Sequence, residues 1–216
     1  MKRFGPEELL DCYRRGVFPM AEARDDPTLF LVDPDERAIF PFDRFHVSAR
    51  LRRTVRTDRF EIIIDREFVA VMEACAAEQP GRENTWINPA IHSLYGELHR
   101  RGYAHSVEAR ENGRLVGGLY GVALGGAFFG ESMFSRVRDA SKAALVHLVA
   151  RLIVGGFRLL DAQFMTPHLA QFGAQTISRA EFHVLLADAL RAEGDFKKMP
   201  ERASGAYALQ SIAQMS

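Results

Sequence analysis

The sequence predicts an α+β fold over roughly residues 60 to 192, antiparallel strands flanked by helices. Three observations carry that prediction. Phe60-Glu61-Ile62-Ile63-Ile64 is a β-branched run that reads as a buried strand. Glu111-Asn112-Gly113-Arg114 reads as the turn of a hairpin joining His105–Ala109 to Leu115–Val122. Phe68, Val69, Met72 and Cys75 or Ala76 recur at three- and four-residue intervals, which lays one apolar stripe along a helix.

The remaining elements follow in chain order. A short helix over Pro6 to Arg15 is stopped by Gly16. From Phe18-Pro19 to Asp33-Pro34-Asp35 the chain reads as an irregular loop, because Asp and Pro at this spacing favour turns. A basic helix, about Val47 to Thr57, leads into the strand at Phe60. The helix that begins near Phe68 ends at Gln79-Pro80-Gly81. The loop from Glu83 to Pro89 holds the only tryptophan, Trp86, and a second amphipathic helix runs from Pro89 to Arg101 before Gly102. After the hairpin, Gly125-Gly126 turns the chain into Ala127-Phe128-Phe129. A helix from about Ala140 to Leu152 starts after Asp139, a candidate cap, and stops at Gly155-Gly156. Phe157 to Phe164 is a further strand and Ser178 to Arg191 the last helix.

Composition narrows the class. With 216 residues, 47% apolar and 26% charged, the chain can bury about 70% of its unfolded surface and needs no metal or disulfide staple. The apolar run Ala144 to Val154 is broken by His147 and Arg151 and is far short of the roughly 20 residues of a membrane span. No apolar signal segment follows Met1-Lys2-Arg3, and Cys12 and Cys75 are expected as reduced thiols, so the expected compartment is the cytosol. The 28 Lys+Arg balance the 28 Asp+Glu, but unevenly along the chain. Between Arg44 and Phe60, six arginines (Arg44, Arg50, Arg52, Arg53, Arg56, Arg59) meet one acid, Asp58, for a local charge of +5. On a helix Arg52, Arg53 and Arg56 share a face, which fits either a solvated charged surface or a phosphate-binding patch.

Several chemistries are excluded by motif. There is no Gly-x-x-x-x-Gly-Lys-Ser/Thr loop, no His-Glu-x-x-His, no Cys-x-x-Cys and no Gly-x-Ser-x-Gly elbow, and the seven histidines are scattered. What stands out is polar groups embedded in apolar strands: Gly130-Glu131-Ser132 after Phe128-Phe129, and Asp161-Ala162-Gln163 after Leu159-Leu160. In a strand Asp161 and Gln163 point to one side, and Leu160, Ala162 and Phe164 to the other. An acid and an amide facing one cavity fit a functional site, or a structural network through Ser132 or a nearby backbone amide.

These residues also carry a resemblance. Tyr13-Arg14-Arg15-Gly16-Val17-Phe18-Pro19, Thr85-Trp86-Ile87, His105-Ser106-Val107-Glu108, Leu115-Val116-Gly117-Gly118-Leu119-Tyr120-Gly121, Phe129-Gly130-Glu131-Ser132-Met133-Phe134-Ser135, Ala140-Ser141-Lys142 and Leu160-Asp161-Ala162-Gln163 occur in the order found in the leucyl/phenylalanyl-tRNA–protein transferase family. The resemblance runs from about residue 7 to 192, and Gly-Glu-Ser-Met-Phe-Ser joined to a downstream Asp-x-Gln is its most specific part. It departs where many relatives have tryptophan and this chain has Met20, and around Leu31-Val32.

The resemblance implies an enzyme that moves leucine or phenylalanine, less well methionine, from aminoacyl-tRNA to the α-amine of proteins beginning with Arg or Lys, marking them for degradation. It implies an acetyltransferase-like (GCN5-related) core, residues 60–216, after a small amino-terminal α/β domain with the basic helix, residues 1–59. An aminoacyl ester is already activated, so no ATP, metal or other cofactor is implied, nor a membrane, nor a second copy of the chain. By the same resemblance Gln163 orients the attacking amine, Asp161 supports Gln163 and attracts the cationic acceptor, and Glu131 binds the acceptor peptide or its amino terminus. Met133, Leu119 and Leu145 match positions of the donor side-chain pocket, or are ordinary core. Trp86 matches a residue near the 3′-terminal adenosine, or is structural. Arg50, Arg52, Arg53 and Arg56 become a surface for the tRNA acceptor arm. Two other readings stay open: an acetyl-CoA-dependent N-acetyltransferase, although Arg136 to Ser141 lacks its pyrophosphate loop, and a noncatalytic tRNA-binding protein.

Overall fold

The computed structural model describes residues 4–24, 26, 28–77 and 85–215. Gln79-Pro80-Gly81, Glu83 and Asn84 lie outside the described residues. The chain opens with α1 (Pro6–Arg14), begun by a proline in its first turn and ended where Gly16 adopts a φ of +77°. The segment expected to be irregular contains a two-stranded antiparallel ribbon, β1 (Phe18–Met20) with β2 (Phe30–Val32), and then β3 (Glu36–Ile39). Strands of three or four residues beside Asp and Pro leave too short a period to read from sequence.

Next come α2 (Ala49–Arg56), capped by Ser48, then β4 (Glu61–Ile64) and α3 (Phe68–Ala76). Asn88 caps α4 (Pro89–Arg100), its side chain accepting from Ile91 N at 2.8 Å. The hairpin is β5 (Ala104–Glu111) and β6 (Arg114–Leu124), followed by β7 (Ala127–Ser135) and α5 (Ala140–Val154). Asp139 does not cap α5. It sits in the left-handed region at φ +71°, and its carboxylate instead accepts from Arg50 of α2 at 3.1 Å. The chain ends with β8 (Leu159–Gln163), α6 (Pro167–Ala170), β9 (Gln175–Ser178), α7 (Arg179–Ala189) and α8 (Gly205–Ala213). The helix expected over Ser178 to Arg191 is α7, whereas β9, without alternating apolar positions, and the helices α6 and α8 are not expected from the sequence.

The fold is mixed α/β. Among the described residues, seven strands form one sheet in the order β4-β5-β6-β7-β8-β3-β9, antiparallel except for β7 and β8. That parallel pair requires a crossover, and α5, buried along most of its length, supplies it. One face of the sheet packs on α5, α2 and α8, the other on α1, α3 and α4, so core lies on both sides. Residues 36–56, expected in the small amino-terminal unit, give β3 to the large sheet and α2 to its helical face, because Ala38, Ile39, Leu51 and Val55 bury there. No helix among the described residues is long and apolar enough to cross a membrane.

Candidate active site

The site is built where two parallel strands part. Pairing of β7 with β8 runs from Ala127 opposite Leu159 to Phe129 opposite Asp161 and stops there. Just past that point β7 bulges: Tyr120 faces Ser132 and Gly121 faces Gly130, leaving Glu131 as the extra residue. A side chain at Gly121 would meet the Phe129 carbonyl at 2.3 Å, so glycine is required opposite the bulge. A second irregularity lies in β8, where Ala38 faces Gln163 and Ile39 faces Asp161, leaving Ala162 over. Gln163 takes a φ of +62°, a conformation that costs a non-glycine residue on the order of 1–2 kcal/mol. Asp161 Oδ1 offsets part of that cost by accepting the Gln163 backbone N–H at 2.8 Å. The predicted alternation holds for Leu160 and Ala162, which pack with α5, but breaks after Gln163: Phe164 lies edge-on against Phe18, ring centres 5.7 Å apart.

The two carboxylates have different surroundings. Arg37 donates to Asp161 through Nε at 2.9 Å and Nη2 at 2.6 Å, and through Nη1 to the Gly16 carbonyl at 2.9 Å. Its guanidinium lies between the rings of Phe18 and Phe182, 4.6 and 4.2 Å from their centres. Arg37 and Asp161 are sealed from solvent, at 1% and 0% exposure. Glu131 instead accepts from Tyr13 Oη at 2.6 Å on one oxygen, and from Tyr95 Oη at 3.0 Å and Gln163 Nε2 at 3.3 Å on the other. The two tyrosine hydroxyls also touch each other. Burial pushes the Glu131 carboxyl up to about 7, against the pull of its three hydrogen bonds. Burial and the neighbouring carboxylate hold both tyrosines well above their usual range, so they act as hydroxyl donors.

Two adjoining cavities open at this network. The inner one, about 120 Å³, is lined by Leu119, Met133, Leu145, Leu148 and Leu160, with Glu131 and Asp161 also among its lining residues. The outer one, about 640 Å³, is lined by Met20, Trp86, Gln163, Phe164 and His168 among others, and shares Glu131 and Met133 with the inner one. The structure therefore brings together Glu131, Asp161, Gln163, Leu119, Met133, Leu145 and Trp86. The inner cavity has the size and lining for one apolar side chain, the outer one room for a larger polar group. Of the two expected structural partners, Ser132 and a nearby backbone amide, the backbone amide is the one that reaches Asp161, from Gln163, and Arg37 adds the ion pair.

The basic helix α2 turns Leu51 and Val55 inward and leaves Arg50, Arg52, Arg53 and Arg56 exposed. Arg52, Arg53 and Arg56 surround one surface depression with His46. Arg50 is paired with Asp139, two residues before Ser141, which lines the outer cavity.

Comparison with known proteins decides the family. The model of the leucyl/phenylalanyl-tRNA protein transferase family matches residues 39–187, and that of the family's N-terminal domain matches residues 3–35. The chain belongs to this family. It is 61% identical to the leucyl/phenylalanyl-tRNA–protein transferase of Maricaulis maris (strain MCS10) and 62% identical to that of Phenylobacterium zucineum (strain HLK1), each match covering 100% of both chains. That of Caulobacter vibrioides (strain NA1000 / CB15N) is 57% identical, over 99% of this chain and 98% of its own.

In this member of the leucyl/phenylalanyl-tRNA protein transferase family, the site depends on side chains that the sequence reading passed over. Tyr95 lies on the stripe Ile91, Tyr95, Leu98 of α4, where periodicity counts it as core and hides its hydroxyl. Tyr13 is masked in the same way on α1. Arg37 follows Asp35 and Glu36 in a turn-like segment and carries no local sign that it is buried. His168, on the four-residue α6, has an Nε2 that is buried with no hydrogen-bond partner among the described residues. Burial, with help from Lys142, lowers its pKa.

Proposed function

We propose that the chain transfers the leucyl or phenylalanyl group of an aminoacyl-tRNA to the α-amine of a protein, and that its acceptors begin with Arg or Lys. The observation that carries this reading is an apolar cavity of side-chain size that shares Glu131 with the larger cavity lined by Gln163, in a chain of this family. The donor's Leu, Phe or, less well, Met side chain enters among Leu119, Met133 and Leu145, where one methylene changes the fit by only about 1–3 kcal/mol. The 3′-terminal adenosine lies in the outer cavity against Trp86, and Arg52, Arg53 and Arg56, with Arg50 beside Asp139, meet acceptor-arm phosphates.

Gln163 orients the amine, and the ester is already activated, so positioning and polarisation supply the catalysis without ATP, metal or coenzyme A. The acceptor's amino terminus has Glu131 to face, since Asp161 is already occupied by Arg37. Residues 1–59 supply Tyr13, Arg37 and the basic helix, and residues 60–216 supply Glu131, Asp161 and Gln163. An acetyltransferase-like core is supported by the parallel β7–β8 pair that parts beside the site with α5 as its crossover. The product bears the leucyl or phenylalanyl amino terminus of a cytoplasmic degradation signal.

Purified protein incubated with radiolabelled leucyl-tRNA and peptides beginning with Arg, Lys, Asp, Glu or Met, without ATP, metal or coenzyme A, tests the reading. Label on the Arg and Lys peptides alone is expected. Label on acidic peptides overturns the acceptor assignment, and no label on any peptide overturns the activity.

A further inference from the structure

Glu131 and Asp161 belong to one hydrogen-bond network through Gln163, but their partners differ in kind. Asp161 is held by a cation: discharging it strands Arg37, buried between two aromatic rings, without a counter-ion. Glu131 has only neutral donors, Tyr13, Tyr95 and Gln163, and it lines both cavities. A carboxylate among neutral donors gains and loses a proton without breaking an ion pair.

We infer that the two carboxylates divide the work: Glu131 exchanges the proton of the attacking amine, while Asp161, locked by Arg37, only positions Gln163. The inference rests on the aminoacyl-transfer reading above. With Gln163 Nε2 donating to Glu131, the Gln163 side-chain carbonyl is left to accept from the amine beside the carboxylate. The amine nitrogen forms a bond to the ester carbonyl carbon, and its proton passes to a Glu131 oxygen. The bond from that carbon to the ribose 3′ oxygen then breaks, the electron pair leaves on that oxygen, and Glu131 returns the proton to it. An amide and a free 3′ hydroxyl result, with Glu131 ionised again.

Tyr13 and Tyr95 are positioning residues for this step. They reach the carboxylate from α1 and α4, on opposite oxygens, and favour its ionised form. The other groups facing Glu131 are Tyr120 of β6, whose buried hydroxyl has no hydrogen-bond partner among the described residues, and Asp161 of β8. Cys75 of α3 adjoins Tyr120. None of these is a cation.

The test is single-turnover transfer from leucyl-tRNA to an Arg-starting peptide, from about pH 5.5 to about 9, in the wild type, Glu131→Gln, Asp161→Asn, Arg37→Lys and Tyr95→Phe. In the wild type two ionisations shape the acidic side of the profile, that of Glu131 and that of the amine at about 7.7–8.0. Glu131→Gln is expected to lower the rate about 100-fold or more, keep the tRNA affinity within about threefold, and leave only the amine's ionisation. Tyr95→Phe removes a hydrogen bond to the carboxylate and moves the Glu131 ionisation to higher pH. Asp161→Asn and Arg37→Lys slow transfer but keep both ionisations, the Glu131 one displaced to lower pH in Asp161→Asn as a neighbouring negative charge is removed. Should Arg37→Lys not fold, Asp161→Asn carries the comparison alone. The inference is overturned if Glu131→Gln keeps both ionisations or a near-wild-type rate, or if one ionisation vanishes in Asp161→Asn. A wild type that transfers nothing overturns the aminoacyl-transfer reading, and this inference with it.

Discussion

Arg37 grips Asp161 through both carboxylate oxygens, at 2.9 and 2.6 Å, and its third hydrogen bond, to the Gly16 carbonyl, ties the same ion pair to the end of α1. A single buried guanidinium thereby connects the helix that carries Tyr13 to the strand that carries Gln163. Arg37→Met is expected to leave Asp161 charged, buried and unpaired, and to lower the unfolding free energy by about 3–5 kcal/mol. Arg37→Met with Asp161→Leu, which removes both charges, is expected to recover most of that loss. Urea denaturation of the two variants checks it; equal destabilisation in both would show that the rings of Phe18 and Phe182, rather than the charges, need Arg37.

Glu131 makes stability depend on pH in the opposite sense from an ion-paired carboxylate. Its pKa is raised from 4.5 to about 7 in the folded protein, so between those values the folded state holds a proton that the unfolded state has released. Its contribution to stability therefore falls as pH rises from 4.5 towards 7 and stays lower above it, by on the order of 3 kcal/mol, while buried His147, its pKa lowered to about 4, contributes in the opposite sense over much of the same window. Glu131→Gln keeps an accepting oxygen for one of the two tyrosine hydroxyls, turns an amide NH2 to the other and carries no charge. The expected outcome is a stability, relative to the wild type, that grows as pH rises from about 4.5 to about 7 and is constant above it. Denaturation midpoints of both proteins at the two ends of that window decide it, and a difference between variant and wild type that stays constant contradicts the assignment.

How much of this was legible from the sequence follows from the range over which each signal acts. The strands at Ile62 and Leu119 and the helices at Phe68 and Pro89 declare themselves within a dozen residues, because apolar periodicity is local. So do Glu131, Asp161 and Gln163, as polar residues in apolar runs. What periodicity could not supply is how those residues are held. Two bulges turn Glu131 and Gln163 toward each other, and a bulge is a mismatch between two strands that neither strand contains. Arg37 meets Asp161 across 124 positions of sequence, and Tyr13 meets Glu131 across 118. Asp139 shows the converse: its place before an apolar helix suggested a cap, but the fold brings Arg50 to its carboxylate and sets its backbone left-handed.

Met20 and Trp86 line the same outer cavity. If the 3′-terminal adenosine lies there, Met20→Trp adds a second aromatic face. A stacked base gains about 1–3 kcal/mol, so an aminoacyl-tRNA or a short acceptor-stem helix is expected to bind about tenfold more tightly. The same change is expected to leave binding of a stem that lacks its terminal adenosine unaltered. Tightening of both equally would place the tryptophan on the helical stem instead.

Arg52, Arg53 and Arg56 surround one depression on α2, with Leu51 and Val55 holding the helix from beneath. Replacing the three with glutamine removes charge from exposed positions and leaves the buried stripe intact. Each phosphate left without its arginine lowers the slope of log affinity against log salt by about 0.7–0.9, so a reduction of about two is expected with little change in thermal stability. An unchanged slope would move the tRNA surface away from this helix.

Met133 lines both cavities, at the junction between the space suited to an apolar side chain and the space around Gln163. Its position opposite Leu119 on β6 keeps it over the inner cavity, and Leu145 of α5 closes the same wall. Met133→Trp replaces a flexible side chain with a rigid one in a cavity of about 120 Å³. Phenylalanine, the bulkier donor, then loses more than leucine, and an exclusion of this kind is worth about 1–3 kcal/mol, or roughly 10- to 200-fold in relative transfer. Competition between phenylalanyl-tRNA and leucyl-tRNA for one acceptor peptide measures the ratio directly, without dependence on the active fraction of the variant. A ratio equal to that of the wild type would place the donor side chain outside the space that Leu119, Met133 and Leu145 enclose.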